Sequence, residues 1–300
     1  MSSPTAFAFA CLILATFFSS TAGVLLRWIE AADGWTVLFW RSLFFIATMG
    51  CWLLLRYRRG VLRLAKDFGA PELWVSLLFA CATVAFVFAL LETSVARVVL
   101  VNGLTPFVTA LLGWALLGER IGGATWVAMA VAFCGIAVMM GSGLAGGSLL
   151  GDALAFATCL FTSLMYVTLR RRAAVDKVPA LTLSGIAVAL VALAAAPTLA
   201  ISAHDLALCA ALGCLQLAVQ YILVSYATRT LPAAQVALTG RTSMVLAPLW
   251  AWLGAGEVPA EATFWGGALV LGAVLGNGLY ALHRQARRQK LAAVPEETTP

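Results

Sequence analysis

Trp114-Ala-Leu-Leu-Gly-Glu119 and Trp252-Leu-Gly-Ala-Gly-Glu257 end two apolar runs placed 138 positions apart, one in each half of the chain. The run after each opens with Ala-Thr and an aromatic, Ala124-Thr125-Trp126 in the first half and Ala262-Thr263-Phe264 in the second. The same shift aligns Ala96 with Ala234, Val98 with Val236, Leu100 with Leu238 and Ala130 with Ala268. Small aliphatic matches come cheaply in so apolar a chain, so the weight rests on Trp and the Gly-Glu pair. The chain reads as one unit written twice, the way many membrane carriers build two interchangeable gates around a central site.

Composition names the solvent. With 62% hydrophobic and 11% charged residues, and a mean hydropathy of +0.97, the chain is too apolar for a soluble domain. About 20 apolar residues span a bilayer as a helix. Ten such runs are expected: Phe7–Leu26, Trp35–Leu55, Leu73–Leu91, Ser94–Leu117, Ala124–Met140, Leu149–Leu169, Ala180–Ala200, Leu206–Thr228, Ala233–Leu253 and Thr263–Leu282. The fifth and sixth are divided only by the Gly/Ser turn 141–148. A cleaved leader is disfavoured, because no Lys or Arg precedes the first run and Cys11 comes too early for a lipoprotein box. The fold class is therefore all-α integral membrane: residues 1–145 form a first five-helix repeat, 146–283 a second, and 284–300 a basic, then disordered, tail.

Alternate connections differ in charge. One side collects Arg56, Arg58, Arg59, Arg63, Lys66, Arg120, Arg170, Arg171, Arg172, Lys177, Arg229, Arg284, Arg287, Arg288 and Lys290, fifteen of the 19 basic residues. The other holds Glu30, Asp33, Glu92, Asp152, Asp205, Glu257 and Glu261. Positive residues mark the cytoplasm, so both termini are expected inside, in an inner membrane. The net charge of +6 then reflects topology and contact with the lipid bilayer, with no nucleic-acid partner implied. Five helices per half, an odd number, turn the second repeat upside down relative to the first. Glu119 falls on the basic side and Glu257 on the acidic side.

Several motifs carry a family likeness: Phe39-Trp40-Arg41 in the second run, Gly118-Glu119-Arg120 with its Gly256-Glu257 echo, Gly151-Asp152 opening the sixth run and Arg170–Arg172 closing it. In their order and spacing the chain resembles the drug/metabolite transporter superfamily, specifically its ten-helix exporters with duplicated five-helix halves. The likeness runs from Phe7 to His283. It implies outward movement of small metabolites by alternating access. In overall texture the chain looks most like the aromatic amino acid exporters, although no single motif carries that narrower match.

Ionisable groups inside a bilayer cost about 2.5–3.5 kcal/mol on insertion scales, so they face a wet cavity or a partner. Arg41 lies about 9 Å below one boundary and Arg241 about 12 Å below the other, at 1.5 Å per residue. Arg27 and Arg97 sit near the outer ends, where they can snorkel. Each buried guanidinium could hold a substrate carboxylate in a bidentate pair, or tie down backbone carbonyls near a kink. Uncharged candidates for a central cavity are Thr16 and Ser20, Thr83, Asn102 and Thr105, Thr162 and Tyr166, Gln216, Gln220 and Tyr221, and Thr239 and Ser243. Gln216 and Gln220 share one face with Tyr221 beside them, a stripe that serves either a site or interhelical glue. Pro106 and Pro248 interrupt the fourth and ninth runs as hinges or as static kinks. Gly272 and Gly276 suggest internal close packing rather than a dimer face, so a monomer is expected.

Absences bound the chemistry. None of the 13 acids lies deep in a span, and His204 and His283 sit at the edges. That disfavours proton antiport and efflux of cationic drugs. An intramembrane enzyme would need a nucleophile with a base, or a metal pair, at membrane depth, and neither is present. The seven cysteines have no metal spacing and read as packing residues. The expectation is a cofactor-free, metal-free exporter of a small-molecule substrate, amino acids first, with nucleobases or drugs as the alternative cargo.

Overall fold

Hydrophobic length and the caps between runs dictate a bundle of helices. The computed structural model describes residues 3–57, 69–141, 148–171, 177–231, 236 and 239–292. Seven of its helices are long and apolar enough to cross a membrane: α1 (Thr5–Arg27), α2 (Gly34–Arg56), α3 (Ala70–Glu92), α4 (Val95–Leu117), α6 (Leu149–Leu169), α8 (Ala203–Thr230) and α10 (Glu261–Ala281). Three apolar helices are shorter: α5 (Gly123–Met139), α7 (Pro179–Ala195) and α9 (Ser243–Ala255). The elements found among the described residues are helical throughout. The seventh run was expected to reach Ala200, but α7 stops at Ala195, because Pro197 disfavours helical dihedrals in the residue before it. Parts of the start of the ninth run (233–235 and 237–238), the basic residues Arg58, Arg59, Arg63, Lys66 and Arg172, and the tail from 293 lie outside the described residues.

The helices pair in a pattern that repeats itself. α3 lies against α6 as α8 lies against α1, α7 against α3 as α2 against α8, and α4 against α6 as α9 against α1. The pairs α2·α7, α4·α9 and α5·α10 join the halves directly. Exchanging the first five helices with the last five maps each of the first six contacts onto another and each of these three onto itself. The α5·α10 contact is the most extensive of these three. A Cβ on Gly135 would lie 2.6 Å from the Gly266 carbonyl oxygen, whereas one on Gly272 or Gly276 would meet nothing within 4 Å. The close packing expected at Gly272 and Gly276 is thus made by Gly135 and Gly266 instead, because Gly272 and Gly276 face open space.

The two Gly-Glu ends repeat in geometry as well as in sequence. Gly118 and Gly256 have φ of 69° and 66°, a left-handed conformation that glycine adopts without the Cβ penalty. Gly118 and Glu119 donate to the Trp114 and Gly113 carbonyls, and Gly256 and Glu257 to those of Trp252 and Ala251. These nested bonds satisfy carbonyls that the helix ends leave open.

Polar bonds bind the five connections of the acidic end together. Asp205 receives the backbone N–H groups of Glu30, Ala31 and Ala32 at 3.1 Å each. Arg27 pairs with Glu257 at 3.0 Å and donates to the Thr93 carbonyl at 2.7 Å. Ser148 donates to the Glu92 carbonyl at 3.0 Å. Asp33 caps α2 through Trp35 and Thr36, and the Thr36 hydroxyl reaches the Thr198 carbonyl at 2.6 Å. Burial opposes ionisation of Asp33, but its bonds from the Thr36 hydroxyl and the Thr36 and Trp35 amides outweigh it and lower its pKa.

Arg97 does not snorkel. It is 2% exposed, held by Asp152 at 2.9 Å and by the Met139 carbonyl at 2.6 Å. Arg27, part-exposed, pairs with Glu257. Each arginine found an acid far away in the sequence, which no local spacing announces. Cys51 and Cys134 are exposed, so these two cysteines do not pack the interior as expected.

Candidate functional site

Two equivalent helices break at equivalent places. Gly103-Leu104 in α4 and Arg241-Thr242 ahead of α9 are turns, 138 positions apart like the Gly-Glu ends. Leu104 donates to the Val101 carbonyl as Thr242 does to that of Thr239, and Phe107 and Val108 donate to Leu104 as Val245 and Leu246 do to Thr242. Thr105 donates its hydroxyl to the Asn102 carbonyl as Ser243 does to that of Gly240. The expected hinge prolines do not share this register. Pro106 stands in the first turn of the segment Thr105–Leu117, where a missing N–H costs nothing. Pro248 lies inside α9. The matched feature is the turn, not the proline.

Beside these breaks lies a cavity of about 310 Å³, lined by Ser19, Arg41, Phe79, Ala82, Thr83, Phe86, Asn102, Thr105, Thr158, Thr162, Tyr166, Gln216, Leu217, Gln220, Tyr221 and Arg241. Both halves supply its walls. Phe79, Ala82 and Thr83 on α3 occupy the positions that Leu217, Gln220 and Tyr221 occupy on α8, and Gly103 stands where the second half has Arg241. The scaffold is symmetric and its chemistry is not: polar weight gathers on the second half.

Arg41 is the most constrained of these residues. It is 2% exposed, and its Nη2 donates to Gln216 Oε1 at 3.0 Å. Its Nε and Nη1 are buried without a partner. Of the two roles open to it, the tie to backbone carbonyls is replaced by this side-chain bond. The approach depends on Gly213, where a Cβ would press on the Arg41 carbonyl. That glycine lies in a π-helical stretch, Ala211–Val219, within α8, a winding that recurs at functional sites. Tyr221, Tyr166 and Arg241 line the same cavity as Arg41.

Ten of the fourteen nominated binding residues line this space. Thr16, Ser20, Thr239 and Ser243 do not. The Thr16 hydroxyl donates to the Leu12 carbonyl at 2.9 Å. Ser20 donates to the Phe17 carbonyl and receives Trp250 Nε1 at 3.0 Å. Ser19, Thr158 and the aromatic face of α3 were missed. The repeat carried a usable signal for α3: shifting Gln220-Tyr221 back by 138 lands on Ala82-Thr83. A wider surface groove of about 480 Å³ at the acidic end is lined by Arg27, Glu92, Thr93, Ser94 and Glu257 among others. Its one cation, Arg27, is already paired with Glu257, so it makes the weaker candidate. Among the described residues no group of His, Cys, Asp and Glu could hold a metal ion.

Residues 6–141 and 149–279 each match the model of the EamA-like transporter family. The chain belongs to the EamA-like transporter family. That places it in the drug/metabolite transporter superfamily, as a multi-pass membrane protein of a family that moves small solutes. No curated protein matches it. A crystal structure of another protein is similar to 93% of this chain and covers 98% of its own, with a TM-score of 0.64 and 21% identity. At that identity the likeness shows a shared fold. The EamA-like repeat meets its partner at the cavity described above.

Proposed function

We propose that this chain is an alternating-access exporter whose transit site is the cavity between the halves. All ten helices span the inner membrane, with both termini cytoplasmic and the second repeat inverted. The observation that carries the reading is the pair of equivalent broken helices beside a polar cavity, an arrangement in which half-helices of opposed repeats rock around a fixed site. The tied acidic end supports a state closed toward the outside. Small metabolites with an aromatic or other apolar body, amino acids among them, are the substrates to try. Phe79, Phe86, Tyr166 and Tyr221 offer apolar walls, and the volume lies near the lower bound for small-molecule pockets, about 300 Å³.

Counterflow in proteoliposomes tests this. Preloaded cold substrate should drive transient, saturable accumulation of labelled substrate, and collapsing the pH gradient should leave it intact, since no acid among the described residues lines the cavity. Flux that rises linearly with concentration would identify a channel. Strict dependence on a proton gradient would overturn the facilitator.

A further inference from the structure

Charge balance in the cavity narrows its cargo, granted the carrier reading above. Arg41 and Arg241 line the cavity, and among the described residues no Asp or Glu lines it with them. Arginine stays protonated in proteins, and a buried cation left unpaired is costly. Gln216 occupies one N–H of Arg41 and adds no charge. Two further donor nitrogens, Nε and Nη1, are buried without a partner, so the positive charge of this side chain meets no anion, and a carboxylate is the acceptor that pairs most strongly with a guanidinium. The Arg97–Asp152 pair shows the contrast: that buried guanidinium has its acid.

A zwitterionic amino acid fits this site badly. Its carboxylate would satisfy Arg41, but its ammonium would enter a cavity that already holds a second cation and no anion. Like charges juxtaposed in an interface cost several kcal/mol. We propose that the cavity carries small organic carboxylate anions that lack an ammonium group, with the carboxylate paired with the Arg41 guanidinium and an apolar body between the aromatic walls. Half-buried Arg241 adds attraction for the anion, since a cleft lined by one sign of charge focuses the field. Gln216 positions the guanidinium and does not itself contact the carboxylate.

Protein-mediated current across a solid-supported membrane is the test, with 3-phenylpropionate, phenylalanine and 3-phenylpropanamide as probes. Leak of the neutral acid carries no charge, so a current saturable in 3-phenylpropionate and absent from protein-free vesicles isolates the carried anion. That current is expected, with saturable tracer flux of phenylalanine and of the amide at least tenfold weaker. Arg41→Gln should abolish the current and Arg41→Lys restore part of it. If Arg41→Gln fails to fold, Arg241→Gln should raise the half-saturation concentration for the anion several-fold while leaving that for the amide unchanged. Saturable phenylalanine flux without a 3-phenylpropionate current would overturn the anion assignment and leave the carrier standing. No saturable flux for any probe would overturn both.

Discussion

Arg97 lies three residues past Ser94, the N-cap of its helix segment, a place where a long side chain could reach solvent. It is buried instead because Asp152 of α6 meets it at 2.9 Å and Thr93 supports the same carboxylate. A buried pair is weak evidence of net stabilisation, but removing one partner strands the other charge, at about 3–5 kcal/mol. Asp152→Leu should therefore destabilise the protein by about that amount, read from unfolding in detergent. The double change Arg97→Met with Asp152→Leu should recover most of the loss, since replacing both charges by apolar groups is often neutral. Equal destabilisation by the single and double variants would show that the pair itself, and not the stranded charge, holds α4 to α6. Arg41 obeys the same rule with the opposite outcome, for its counter-charge is absent from the cavity wall.

Among the helices, glycines at close approaches decide which faces can meet. Gly213 lets α8 lie on the Arg41 carbonyl of α2, one turn before Gln216 grips the guanidinium. Gly213→Ala should force α8 away, lower the melting temperature in detergent and weaken substrate affinity together. Gly272→Ala, which faces open space, should change stability by no more than about 0.5 kcal/mol, as surface substitutions do. An unaltered Gly213→Ala protein would remove the close approach from the account. Sequence spacing pointed to the wrong glycines here. A GxxxG step is visible within one helix, whereas Gly135 and Gly266 meet across two, and only the fold brings them together. The prolines misled for a related reason: they are conspicuous breakers, but the breaks fall at Gly103-Leu104 and Arg241-Thr242, where the shift of 138 alone would have paired them.

Taken as a whole, the molecule was legible in its periodicity and its duplication. Hydropathy marked the runs, and the Gly-Glu echo set the register that the helix pairings and the left-handed caps follow. Most of the cavity was legible too, because polar groups are rare in these spans and few alternatives competed. What stayed hidden were partnerships across long separations: Arg27 with Glu257, Arg97 with Asp152, and Ser20 with Trp250. They depend on which helices touch, and no local pattern encodes that. The central claim is that the two halves are one unit in opposite orientation, with the cavity between them. Membrane-sided cysteine labelling tests it most directly, with Arg120→Cys and Val258→Cys each in a chain freed of native cysteines. Val258 is 74% exposed and follows Glu257 as Arg120 follows Glu119. An impermeant maleimide should label Arg120→Cys only from the cytoplasmic side and Val258→Cys only from outside. Labelling of both from the same side would contradict the inverted repeat and the alternating gates built on it.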